Sequence, residues 1–455
     1  MLKKILTSVI SFILILSLLS GCSIDKDSVE YLAFLLKNTL YCFTNPYSEF
    51  IEEYNNKISP SENNQFSAPE EVHFKRLPLE QRMGYNSLDD DEKELYSLLE
   101  EAAGSLDNLV ELKGLKVFNQ DLYRVFDCFR NDCPDVFYLF NGIDYIKYDL
   151  DQYADIVILY YTDGEKYDKL NDNWEMESEA SRQVIAEQMK RLRFAVTNYQ
   201  TNIPDNSEYK QIRSIYEMIA TKVRYDTAFS NIINNYNAQL QNDTEVSEGL
   251  LEACYKPQNT AFGAICNNQA VCGGFTAAIT LLLNETGIIN GVCHGKKNNN
   301  YHIWNVVKLN DKYYHLDSTN DKPVNGNSAE WMIYKYFLCD DEIMREEYEF
   351  YNTSHYIPPA CSDKSLYIND KITQKVSSVA SVSYDVYKSM VTEAVKNDVH
   401  TIIFLTDTPA KENSVNQFYT RFYNYYFSVD GKHTKLSSYY YHSEDYSIAY
   451  FYISY

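Results

Sequence analysis

The chain has 455 residues, 45% of them hydrophobic and 15% aromatic, which is enough apolar side chain for several cores and, by length, about three domains. Its net charge of −23, with no long basic patch, excludes a nucleic-acid binder that works through phosphate contacts. The 42 tyrosines select no function, because tyrosine serves cores, interfaces and carbohydrate-facing surfaces alike.

The first residues read MLKKILTSVISFILILSLLSGC. Lys3 and Lys4 give a positive start, and the apolar stretch Val9 to Leu19 is too short to span a bilayer comfortably. Leu19-Ser20-Gly21-Cys22 then resembles the lipobox of bacterial lipoproteins, in which the chain is cut before the cysteine and its thiol carries a diacylglyceryl group. An ordinary cleaved signal peptide and an uncleaved anchor are the alternatives. The resemblance implies a signal peptide over 1–21, lipidation at Cys22, and a mature protein held by its acyl chains on the outer face of the bacterial cell membrane. Residues 22–84 read as the tether: one helix-like apolar run, Val29 to Phe43, then the linker SPSENNQFSAPEE.

Further along, SLDDDEKELYSLLEEAAGSL predicts a helix starting at Ser87, with acidic residues in its first turn. NQDLYRVFDCFRND (119–132) predicts a second. DVFYLFNGIDYIKY (135–148) and ADIVILYY (154–161) are strand-rich, which makes 85–165 a small α+β module. The segment 165–199 predicts one or two helices. SEYKQIRSIYEMIATKVRYD (207–226) predicts another, with Ile212, Ile215, Ile219 and Val223 at helical spacing. Residues 227–260 are Asn-rich and read as irregular. From 365 to 455 a separate α/β module is expected: helices over 384–398 and 413–427, a strand at HTIIFLTD, and two tyrosine-rich strands serving as core and surface of a sheet.

Ten cysteines are present, and nine remain when Cys22 is set aside, so at least one is unpaired. Export permits disulfides, but the spacings show no repeating framework. With no CxxC and no HExxH, a zinc site is unsupported. Cys128 and Cys133 read as a local disulfide or two core thiols, and Cys266 as core.

Cys272 is placed differently. In AVCGGFTAAITLLLNETGI it heads a helix whose core face holds Phe275, Ile279, Leu282 and Thr286, with Leu281 and Leu283 alongside and Gly287 at the end. Free backbone N–H groups and the helix dipole there favour an anion, hence a reactive thiolate. Gly273 and Gly274 are expected to leave room beside the sulfur for substrate. Downstream, YHIWNVVKL and KYYHLDS flank Asn310-Asp311, a hairpin turn signal. A two-residue loop at Asn310-Asp311 pairs Trp304 with Asp317 and sets His302 diagonal to Asp317. A loop at Leu309-Asn310 pairs His302 with Asp317 directly. Either register brings both side chains to one face, where the carboxylate can orient the imidazole as a base. A three-residue loop would undo this. His315, two residues before Asp317, reads as a neighbour in the cleft wall, and Trp304 as packing beside the pair.

GAICNNQAVCGGFTAAITLLLNETGI, HIWNVV and KYYHLDST, in that order, resemble the core of the bacterial transglutaminase-like domain of the papain-like superfamily, as does YEMIATKVRYD upstream. The resemblance covers 207–360. It implies an α+β fold with the cysteine-bearing helix packed on an antiparallel sheet, and a catalytic domain spanning 166–362. It also implies Cys272 as nucleophile, His302 as general base and acid, and Asp317 as orienting carboxylate. Gly273 departs from relatives that often carry a larger residue. Asn268 and Gln269 are candidates for a further oxyanion donor.

Such a site transfers an acyl group through a thioester, to water as a protease or amidase or to a lysine amine as a cross-linker, with hydrolysis preferred. The substrate expected is a peptide, protein or cell-wall amide, with no metal or organic cofactor. The other reading is a non-catalytic surface protein that binds or scaffolds through the same cleft. The anchor has its own test: Cys22→Ser should block lipid attachment, and labelled fatty acid on the exported variant would overturn the lipobox.

Overall fold

In a computed structural model the described residues are 72–455, apart from 147–152, 171–175, 205–206, 242–254, 298–299, 324–328, 330–331, 333, 351–356, 364–371, 398, 407–410 and 442–447. The segment read as a leader, Cys22 and most of the segment 22–84 read as a tether lie outside them. Among the described residues, no helix is long and apolar enough to cross a membrane. The fold is α+β, built of helices and largely antiparallel sheets. The described residues divide into two compact units: 72–198 with 226–287 and 357–358, and 199–225 with 288–350 and 359–455, each without the residues just excepted.

In the first unit, the helix Asp90–Ser105 begins three residues later than its sequence suggests. Asp89, not Ser87, caps it, in a reciprocal box with Glu92. Leu122–Asp132 follows, then a three-stranded antiparallel sheet in the order Leu109–Glu111, Ile156–Tyr161, Leu139–Ile146. Cys128 and Cys133 are free, buried thiols in this core, so the disulfide alternative falls away. The segment 165–199 is helical only from Arg182; before that it forms two short strands, Lys169–Leu170 and Met176–Ser178.

The stretch expected to be irregular after 227 instead starts with a helix, Thr227–Gln241. Asp226 secures its first turn by accepting the Phe229 N–H at 2.9 Å. The helix Cys272–Thr286 ends as its sequence predicts, with Gly287 left-handed at φ 83°. Phe275, Ile279, Leu281, Leu282 and Leu283 are all buried along it.

The second unit contains the helix Glu208–Lys222, with Ile212, Ile215 and Ile219 buried at the predicted spacing. It also holds a five-stranded antiparallel sheet in the order Phe337–Cys339, Lys312–Leu316, Asn300–Leu309, Asn290–Lys297, Tyr348–Phe350. Its central hairpin turns at Asn310 and Asp311, both with positive φ (51° and 61°), as a two-residue turn of this hand requires.

The C-terminal part of this unit carries the sheet Ile372–Val376, Thr401–Thr406, Ile448–Ser454, Lys432–Tyr441, Phe427–Val429, with the first pair parallel. The helices Tyr384–Lys396 and Glu412–Phe422 share its core, where Tyr387, Phe404, Phe418 and Phe451 pack edge to face.

One glycine fixes how closely the edge strand approaches. Gly295 pairs with His302, and a Cβ there would fall 2.0 Å from the Glu349 carbonyl oxygen and 2.9 Å from the Trp304 ring. Neither the backbone nor the buried indole can yield cheaply. Gly295→Ala should therefore destabilise the protein by about 1–3 kcal/mol. Urea unfolding checks this, and an unchanged midpoint would contradict the close approach.

Candidate functional site

The hairpin delivers the register that its turn dictates. Lys312 pairs with Leu309, Tyr314 with Val307 and Leu316 with Asn305, so Asp317 continues opposite Trp304, diagonal to His302. His302 Nε2 lies 2.7 Å from Asp317 Oδ2. Both side chains are nearly out of solvent, at 9% and 1% exposed.

Asp317 is saturated. Oδ2 also accepts from Tyr348 Oη at 2.6 Å and Asn320 Nδ2 at 2.7 Å, while Oδ1 accepts the backbone N–H groups of Thr319 at 3.0 Å and Asn320 at 3.3 Å. Burial alone would push this carboxyl up. The His302 charge and hydrogen bond, Lys297 and the Tyr348 bond outweigh it and hold Asp317 well below the usual carboxylate range. With Nε2 bonded to the carboxylate, the neutral ring carries its proton there and its lone pair on Nδ1.

The surroundings hold the imidazole in place. Trp304, 1% exposed, lies nearly parallel to it, at 16° and 6.0 Å between ring centroids. Tyr348 lies 5.6 Å from the imidazole and 5.2 Å from the indole. The loop after Asp317 is pinned by Asp321, which accepts the N–H groups of Lys335 at 2.9 Å and Tyr336 at 2.8 Å, and Tyr216 Oη at 2.9 Å.

In the first unit, Cys272 is half-buried and is the first residue of its helix. Its N-cap, Val271, offers no side-chain acceptor to the first turn. The two glycines after Cys272 play a different part from the one the sequence suggests. The space a Cβ of Gly273 would take is filled by the Asn259 carboxamide, 2.0 Å away, and that of Gly274 by the Gln258 carbonyl at 2.5 Å. They admit neighbouring chain, not substrate, to the helix start. Gln269 is engaged with Asp226 at 2.6 Å, and Asn268 closes the preceding helix in a left-handed conformation.

Two residues on Asp317 escape the sequence reading. Asn320 had a signal, since an Asp followed by polar residues at +2 and +3 commonly folds its side chain onto those N–H groups. Tyr348, 31 positions away, had none. His315 is fully buried, so it is no wall of an open cleft. It pairs with Asp341 at 2.8 Å and, with Cys361, forms a group whose ligand atoms lie within 4.8 Å of one another.

No family model matches the chain, and neither does any curated protein. Solved structures similar to it include a TGase, at 16% identity and TM-score 0.25 over 34% of this chain and 37% of that one. Another is a provisionally assigned cysteine protease from Cytophaga hutchinsonii, at 13% identity and TM-score 0.20 over 38% of this chain and 54% of that one. In both, the match spans less than two thirds of the neighbour.

The Asp317 bonds carry a pH signature. A carboxyl depressed in the folded state lends stability that is full above its unfolded value, about 4, and is lost as pH falls toward the folded one. Thermal melts should therefore drop more steeply below about pH 4 in the wild type than in Asp317→Asn. Parallel acid limbs would show that the carboxylate is not held this way.

Proposed function

We propose that this protein is a cysteine acyl-transfer enzyme of the transglutaminase-like kind, hydrolysing amide bonds in a peptide, protein or cell-wall substrate. Export and a lipid on Cys22 would place it on the outer face of the membrane. The observation that carries the reading is the buried His302–Asp317 bond, in which a saturated carboxylate fixes the imidazole's orientation and tautomer. The half-buried Cys272 thiol at the start of a helix supports it.

In this reading His302 takes the Cys272 proton as Sγ attacks the amide carbonyl. A C–S bond forms, the C–N bond breaks, and the imidazolium returns the proton to the departing amine. Water, activated by the same imidazole, then cleaves the thioester to release the acid and restore the thiol. An amine in place of water would give transfer instead.

Cys272→Ala and His302→Ala should each abolish turnover of a peptide library offered with a primary-amine probe and read by mass spectrometry. Asp317→Ala should leave residual activity, slower by about 10²–10⁴. The Cys272→Ala, His302→Ala double variant should be no worse than either single one, because the two act as a unit. Full activity in Cys272→Ala would move the chemistry elsewhere in the chain. A wild type that neither cleaves nor transfers would favour the binding protein.

A further inference from the structure

A second histidine–carboxylate pair lies behind the first, and the chemistry proposed above does not use it. His315 Nε2 lies 2.8 Å from Asp341 Oδ1, and its Nδ1 accepts the Trp304 indole N–H at 3.1 Å. The Cys293 thiol lies 4.0 Å from the same Nδ1. An indole nitrogen only donates, so Nδ1 must present a lone pair, and the proton of the neutral ring sits on Nε2, facing Asp341. Burial lowers His315 below the usual histidine range against the pull of Asp341, which keeps the ring in the neutral form this bond requires. The indole is thus tied at its N–H edge, while its face lies along the His302 imidazole and Phe350 packs 5.3 Å from both Trp304 and His315.

We propose that His315, backed by Asp341, is a positioning residue: by accepting the Trp304 N–H it fixes the indole whose face holds the His302 ring on Asp317. The inference rests on His302 being the base of the reaction. The rival use of these side chains is a metal ion on His315, Asp341 and Cys361. A metal on Nε2 would need the lone pair there and the proton on Nδ1, where it would meet the Trp304 N–H head-on. Burial also pushes the Cys361 thiol up, and its sulfur lies 3.7 Å from the Pro359 carbonyl oxygen that can accept its proton. These surroundings favour the hydrogen-bonded pair.

The test compares full-chain wild type with His315→Leu, His315→Gln, Trp304→Phe and the Trp304→Phe, His315→Leu double variant, by two readouts. Nitrogen-15 NMR should show faster exchange of the Trp304 indole proton and shifted His302 ring signals in His315→Leu. His315→Gln, whose carboxamide oxygen can accept the indole proton, should restore both. Alkylation of Cys272 by iodoacetamide, followed by peptide mass, should slow about tenfold in His315→Leu. Adding His315→Leu to Trp304→Phe should cost nothing further, because both substitutions break one bond.

Unmoved His302 signals in folded His315→Leu would overturn the proposal. So would losses that multiply in the double variant, or stoichiometric zinc that His315→Leu removes. If His315→Leu does not fold, Trp304→Phe decides, since it keeps a ring, loses the N–H and must shift His302 by itself. If wild-type Cys272 reacts no faster than in His302→Ala, the acyl-transfer reading has failed instead, and the NMR readout alone judges the positioning role.

Discussion

An ionised carboxylate withdrawn from water is costly unless its lone pairs are filled, and the local structure around Asp317 follows from filling them. One donor comes from the neighbouring strand as His302, one from the edge strand as Tyr348, and three from the chain immediately after Asp317 itself. Each source constrains a different piece of backbone. The hairpin must keep its register, the loop must curl back on its own aspartate, and the strand Tyr348–Phe350 must lie close enough for a phenol to reach in. That last demand explains the glycine at 295, where the edge strand's carbonyl leaves no room for a side chain.

The same saturation bears on chemistry. A carboxylate bonded to five donors has little freedom to turn, so the imidazole it holds also has one orientation. Trp304 closes the other side, and its own orientation is set by a bond made deeper in the protein. The result is an imidazole held from the strand, from the carboxylate and from the ring packed along it. Preorganisation of this kind lets a proton acceptor act without rearranging as charge develops.

Much of this was legible in the sequence, for reasons specific to each part. The His302–Asp317 pair could be read because side chains in a strand alternate and a two-residue turn at Asn310-Asp311 fixes the count between them. The Cys272 helix could be read from an apolar run with glycine at its end. The helix Thr227–Gln241 was hidden by its asparagines, which favour turns when considered alone; Asp226 at its start was the available clue. Gly273 and Gly274 were misread because a glycine says only that a side chain is missing, not what occupies the space. Tyr348 was beyond reach, since nothing local ties a phenol to a carboxylate 31 residues earlier.

The hairpin has a further consequence for how the molecule comes to exist. His302 and Asp317 are only 15 residues apart, joined by a turn that needs no distant segment to close. Contacts this short in sequence carry a small loop-closure cost, and hairpins form on the order of microseconds. The imidazole and its carboxylate can therefore meet early in folding, whereas the Tyr348 bond closes a loop about twice as long, with a partner 31 residues away. Between those two events the carboxylate would be only partly satisfied, so closure of the edge strand, and not formation of the hairpin, is the step that seals this part of the protein from water.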